Sequence, residues 1–196
     1  MSTATLDLTI KQGETFTKAV NWYGGGKVCK KIEDLEPGCP TMITITSHGL
    51  PSASDTPIFI EHVKGATRAN TGANQPAVAT YIDVNTFYAD VDTVQQTYTA
   101  NTGVIRYFAP KDLTSWTARM HIRPEVDSDT IIHAMTSPTD IAISTNDAKI
   151  TMTISATNTA AFDFDSAVYD LELVDPSGNV TRLLEGEVEL SREVTR

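Results

Sequence analysis

The stretch Tyr169-Asp170-Leu171-Glu172-Leu173-Val174-Asp175-Pro176-Ser177-Gly178-Asn179-Val180-Thr181-Arg182-Leu183-Leu184-Glu185-Gly186-Glu187-Val188 decides the fold. Tyr169, Leu171 and Leu173 alternate with polar residues, which gives a strand one buried face and one wet face. Asp175-Pro176-Ser177-Gly178 then carries turn chemistry: proline presets the backbone angle, and glycine accepts the positive φ needed to start the return strand. Alternation resumes through Val180, Leu184 and Val188. This reads as a hairpin with a decided inside and outside, and nothing in it resembles a reactive site.

Ahead of this hairpin, short strand-like runs recur at intervals of about 8–12 residues with turn signals between them, the pattern of a sandwich or barrel. Strands are expected at 5–10, 15–22, 42–46, 57–63, 78–84, 86–91, 103–108, 117–123, 130–134, 141–143 and 149–154. Ser155 to Ala161 is the only helical hint, opening on a serine cap. Gly24-Gly25-Gly26 reads as a flexible exit, followed by a charged patch from Lys27 to Glu36 and a second break at Pro37-Gly38. Residues 66–77 read as a surface loop.

The 196 residues carry a net charge of -10, which argues against a nucleic-acid backbone as partner, because neutralising phosphates takes clustered Lys and Arg. The charge is uneven: residues 111–196 hold a net of -8 and residues 1–110 a net of -2. A solubilising surface or a basic partner would each account for this. No apolar run is long enough to cross a bilayer as a helix, and no basic-plus-apolar leader opens the sequence, so neither a membrane partner nor secretion is expected.

Candidate chemistry is sparse. Cys29 and Cys39 could close a small disulfide in an oxidising setting or be incidental thiols, and they lack further ligands at zinc spacing. His48, His62, His121 and His133 are scattered, with His48 in a turn and surface or strand positions expected for all four. Asp127-Ser128-Asp129 and Asp163-Phe164-Asp165 place carboxylates two apart, an arrangement open to calcium or to a glycosidase pair but more simply a solvated edge. Gly24-Gly25-Gly26-Lys27-Val28 lacks the hydroxyl after the lysine that a phosphate loop requires. No catalytic, metal or cofactor site is expected. The aromatics Trp22, Trp116, Tyr88 and Tyr98 stand as interface candidates, the two tryptophans being either a shared core contact or anchors for a neighbouring subunit.

A resemblance adds to this reading. Leu6-Asp7-Leu8, Gln12-Gly13-Glu14-Thr15-Phe16, Asp112-Leu113-Thr114-Ser115-Trp116, Tyr169 to Leu173 and Arg182 to Gly186 together resemble a small β-sandwich of tailed-bacteriophage structural proteins, the N-terminal domain of upper baseplate proteins. Where that module has a short hairpin loop, this chain carries residues 24–110. There, Met42 to Leu50, Val63-Lys64-Gly65 and Val84 to Val91 look like a small β-barrel-like domain of phage tail proteins, distantly similar to the first catalytic-cysteine half-domain of ubiquitin-activating enzymes. The expected architecture is therefore all-β: an immunoglobulin-like sandwich from 1–23 and 111–196, with an inserted domain at 24–110 whose residues 24–39 form a flexible neck.

The resemblance implies a non-enzymatic virion protein, assembled in the host cytoplasm in many symmetric copies. It would dock on a tail, neck or baseplate ring and support a fibre or another phage structural protein. Capsid decoration or a head fibre is the alternative in the same setting. A carbohydrate-binding module is the alternative from another class, and it would need exposed aromatics on one face of 40–108. An adaptor would instead need apolar contacts at the sandwich edges.

Overall fold

The terminal hairpin forms as its pattern dictates. In the computed structural model, which describes residues 3–52 and 55–194, strands make up 46% and helix 4%, so the fold is all-β. The strands run in chain order as β1 (Ala4–Thr5), β2 (Leu8–Lys11), β3 (Phe16–Asn21), β4 (Lys27–Lys31), β5 (Asp34–Glu36) and β6 (Thr41–Thr44). They continue as β7 (Thr56–Glu61), β8 (Ala77–Tyr81), β9 (Thr86–Ala89), β10 (Val104–Phe108) and β11 (Thr117–Arg123). The last are β12 (His133–Thr136), β13 (Ile141–Ser144), β14 (Lys149–Ile154), β15 (Ser166–Val174) and β16 (Val180–Ser191), with a short helix α1 (Ala156–Ala160) before β15. The chain divides into two compact units, Met1–Asn21 with Leu113–Arg196, and Trp22–Asp112.

The first unit is a sandwich. One sheet runs β1-β16-β15-β11-β12, with β2 also on β16, and the other runs β13-β14-β3. Tyr169, Leu171 and Leu173 face Ile122, Met120 and Ala118 across the β15–β11 ladder, and all six are buried. The turn from Asp175 is held by its own carboxylate, which accepts from the Ser177 and Asn179 N–H groups, while Gly178 takes φ +86°. α1 begins at Ser155, whose Oγ accepts from the Asn158 N–H at 3.3 Å.

Val180 is not inward, contrary to the strict alternation, and is 49% exposed. The register shifts between Leu171, opposite Leu184, and Glu172, opposite Arg182, so Leu183 is an extra residue. That bulge reverses which parity of β16 faces the core. β12 also begins later than expected, because Met135 is the residue that reaches the core opposite Met120, leaving Ile131 42% exposed.

The edge run β1–β2 is pinned to this sandwich by Tyr169. Its hydroxyl donates to the Leu6 carbonyl at 2.6 Å, and burial, then the nearby Asp7, push its pKa up to about 12. Tyr169→Phe is expected to cost about 1 kcal/mol in a denaturant titration near neutral pH. The sign follows from linkage: the folded state holds the phenol proton more tightly, so Tyr169 stabilises fully below about pH 10 and ceases to as pH rises through 12. The phenylalanine variant should lack that alkaline component.

The second unit is a half-barrel ordered β4-β10-β7-β8-β9-β6-β5. Its two ends belong to one run of chain, because β4 and β5 are separated only by Ile32 and Glu33. The Ile32 N–H donates to the Gly103 carbonyl and the Glu33 N–H to the Thr44 carbonyl, so this run bridges from one end of the sheet to the other. Ile32, Ile43, Ile58, Ile60, Phe87 and Ile105 fill the interior with no exposure.

Residues 24–39 are therefore not a flexible neck. The charged residues Lys27, Lys31, Asp34 and Glu36, together with Cys29, point outward, while Ile32 and Leu35 are buried. The glycines before them are also ordered: the Gly25 N–H donates to the Ala109 carbonyl, Ala109 to Gly26, and Lys111 to Trp22. A Cβ on Gly25 would lie 2.6 Å from the Ala109 carbonyl oxygen, so glycine is required here for close backbone approach rather than for freedom. The stretch 66–77 is likewise only partly a surface loop. Ala66 and Ala69 are fully buried around a 3-10 turn, Thr67–Ala69, and Ala77 begins β8.

Candidate functional site

The outer face of the half-barrel carries a recess lined by aromatic and charged side chains. Alternate residues of β4, β10 and β7 point outward, and the register aligns Cys29 with Arg106 and Arg106 with Phe59, with Lys27 beside Phe108. They line a groove of about 340 Å³ flanked by Ala73 and Glu61. Phe108 is 44% exposed, and the Lys27 ammonium lies 5.6 Å from its ring centroid. Arg106 pairs with Glu61 at the groove wall. Two aromatic rings, a paired guanidinium and a further cation suit a partner that is flat and apolar on one side and polar on its rim.

Of the interface candidates, Tyr88 is exposed (42%) on β9 of the same unit, beside Thr80, Asp90, Cys39 and Pro40. Tyr98 is a clasp instead. Its ring packs half-buried against the half-barrel core, its hydroxyl donates to the Thr102 carbonyl at 2.7 Å and accepts from the Thr102 N–H, and burial raises its pKa. Trp22 is half-buried over Gly24, and Trp116 is half-buried in the other unit, its backbone N–H donating to the Leu113 carbonyl. Cys29 and Cys39 are exposed free thiols.

The histidines divide. His48 is fully buried, not at the surface, because both ring nitrogens are satisfied: Nδ1 accepts from the Leu50 N–H at 3.0 Å and Nε2 meets the Asp83 carbonyl at 2.7 Å. Its ring packs edge-on against Tyr81 and Phe87. His133 is half-buried against Phe162, its Nε2 buried without a hydrogen-bond partner among the described residues. Burial pushes its pKa below 6.5, with Asp140 opposing.

The unfolded chain thus binds a proton near pH 6.5 that the folded chain resists. This ring's contribution to stability is complete above that pH and declines as pH falls toward its lower folded pKa. Replacing His133 with leucine should flatten the fall in stability below about pH 6.5, as followed by urea midpoints.

Among the described residues, no group of three or more His, Cys, Asp or Glu side chains converges to hold a metal. Asp163 and Asp165 instead share Arg192, whose guanidinium lies 3.1 Å from each carboxylate and is held protonated by them.

The sandwich offers a different kind of site, invisible to a motif reading. Among the described residues, β3 is the edge of its three-stranded sheet, and β2 has only β16 as a neighbour. An open cleft of about 310 Å³ separates these two edges, lined by Leu8, Thr9 and Lys11 on one side and Phe16, Thr17 and Lys18 on the other. Phe16 and Val20 face the core opposite Ile154 and Ile150 yet remain half-exposed. Neither a scan of protein-family models nor a search of curated proteins finds a match to this chain.

Proposed function

We propose that this protein is a non-enzymatic structural subunit of a tailed-bacteriophage particle, an adaptor of the tail, neck or baseplate. The observation that carries the reading is the open β2–β3 side of the sandwich, where core-facing apolar residues stay half-exposed at a free strand edge. An adaptor needs such an edge, because a neighbour that completes the sheet gains backbone hydrogen bonds and apolar burial together. The order of phage-like sequence segments supports the same setting. Weak contacts of this kind become secure when many copies engage a symmetric ring at once. The other phage structural proteins of the ring or fibre are the partners, and assembly takes place in the host cytoplasm.

A carbohydrate-binding role is the second reading, favoured by the groove with Phe59 and Phe108 and by exposed Tyr88 on one unit. Capsid decoration would use the same surfaces. Quantitative mass spectrometry of purified particles encoded with this chain separates these roles. The adaptor reading expects a fixed copy number per particle, set by the symmetry of the ring and independent of the shell. Capsid decoration would give copies in proportion to the major shell protein, and absence from the particle would end both virion readings.

A further inference from the structure

The centre of the free edge carries an unexpected residue. Lys18 lies opposite Met152 on the β3–β14 ladder, and Met152 is fully buried, so Lys18 projects from the core side of the strand. Directly opposed residues of an antiparallel pair share a face, and Phe16 and Val20 flank Lys18 on it. The lysine is half-buried and helps line the β2–β3 cleft. Its stem covers apolar surface while its head reaches the cleft. Lys11 at the same cleft is paired with Glu14 at 3.4 Å, whereas Lys18 has no carboxylate partner among the described residues.

An inward charge on an edge strand is a known obstacle to indiscriminate strand pairing. A second β3 would bring a second lysine to the same cleft, and like charges at close quarters are costly there. A strand that carries a carboxylate at that position meets the opposite situation. It extends the β13-β14-β3 sheet, covers Phe16 and Val20, and supplies the missing counter-ion.

We infer that the β3 edge is a docking site for one extended segment of a partner protein, added as a strand with an acidic side chain facing Lys18. This deepens the adaptor reading and rests on it for the identity of the setting, but the recognition itself is a property of the edge. Alternate backbone N–H and C=O groups of β3 that point away from β14 would pair with the added strand. Lys18 then selects among strands by charge, admitting an acidic one and rejecting a basic one or a second copy.

The test uses the full chain and two short acetylated peptides of alternating valine and threonine that differ only in a central glutamate or lysine. Binding is read by fluorescence anisotropy, and the site by hydrogen–deuterium exchange. The glutamate peptide is expected to bind about tenfold more tightly than the lysine peptide and to slow exchange within Phe16–Asn21. Lys18→Glu should reverse the preference, and Lys18→Gln should abolish it, with circular dichroism confirming that each variant is folded. Failure of both peptides to bind, equal binding by the native chain, an unchanged preference in Lys18→Glu, or protection mapping away from β3 would each overturn the inference. Such a result would leave the adaptor reading standing on another surface. Absence of the chain from the particle would sink that reading without touching the peptide result.

Discussion

A chain shortened to begin at Leu113 is expected to lose the sandwich altogether. The missing residues include Leu8 and Ile10, both buried, and the run β1–β2 that covers β16. β3 goes too, stripping β14 of one neighbour. Three tethers disappear with them: Tyr169 to the Leu6 carbonyl, Thr159 to the Glu14 carbonyl and Gln12 to the Phe162 carbonyl. Two central strands would become bare edges, and exposed long edges pair with other chains. Size-exclusion chromatography should show aggregation. By contrast, replacing residues 22–112 with a short glycine-serine turn should preserve the sandwich, because the Lys111 N–H already meets the Trp22 carbonyl at 2.9 Å. A monodisperse, folded chain from Leu113 onward would contradict a module built from both ends of the sequence.

The second large effect lies in the half-barrel. Phe87 is fully buried at its centre, flanked edge-on by the His48 ring at 5.3 Å between centroids. Phe87→Ala leaves a cavity that β9 cannot close without breaking its ladders to β6 and β8. A loss of about 3–5 kcal/mol is expected. The core around Phe87 draws only on residues of the second unit. The damage should therefore appear in that unit's thermal transition, while exchange-protected amides of β11 and β15 keep their protection. A uniform loss across both units would mean that they unfold as one.

What could be read from the residues, and what could not, follows from how each contact is made. The hairpin at 169–188, β11, β14 and the Ser155 cap were legible because their signals are local: alternation, a turn tetrad, a capping hydroxyl. β4 and β5 were hidden in the charged patch. Their outward positions are Lys27, Lys31, Asp34 and Glu36, and the inward Ile32 and Leu35 are an odd number apart. The bend at Ile32–Glu33, where the run passes from one end of the sheet to the other, breaks the period that a sequence pattern relies on. Burial of His48 was equally hidden, since its two ring partners come from the Leu50 N–H and the distant Asp83 carbonyl.

The candidate sites were less legible still. Lys18 looks like an ordinary surface lysine until β14 places Met152 opposite it. Phe59 and Phe108 become neighbours only because β10 sits beside β7, a strand distant along the chain. Tyr88 and Tyr98 share a residue type and nearly a sequence position. One ring is exposed and the other is tied to Thr102, a difference set by tertiary contacts alone.

The central claim is that this chain joins parts of a particle, and cryo-electron microscopy of the intact particle tests it most directly. Density for the protein is expected in a symmetric ring at the tail, neck or baseplate, with a neighbour's strand continuing the sheet at β3. Density spread over the capsid lattice would contradict a joining role, and a β3 edge left bare in the ring would overturn the strand docking alone.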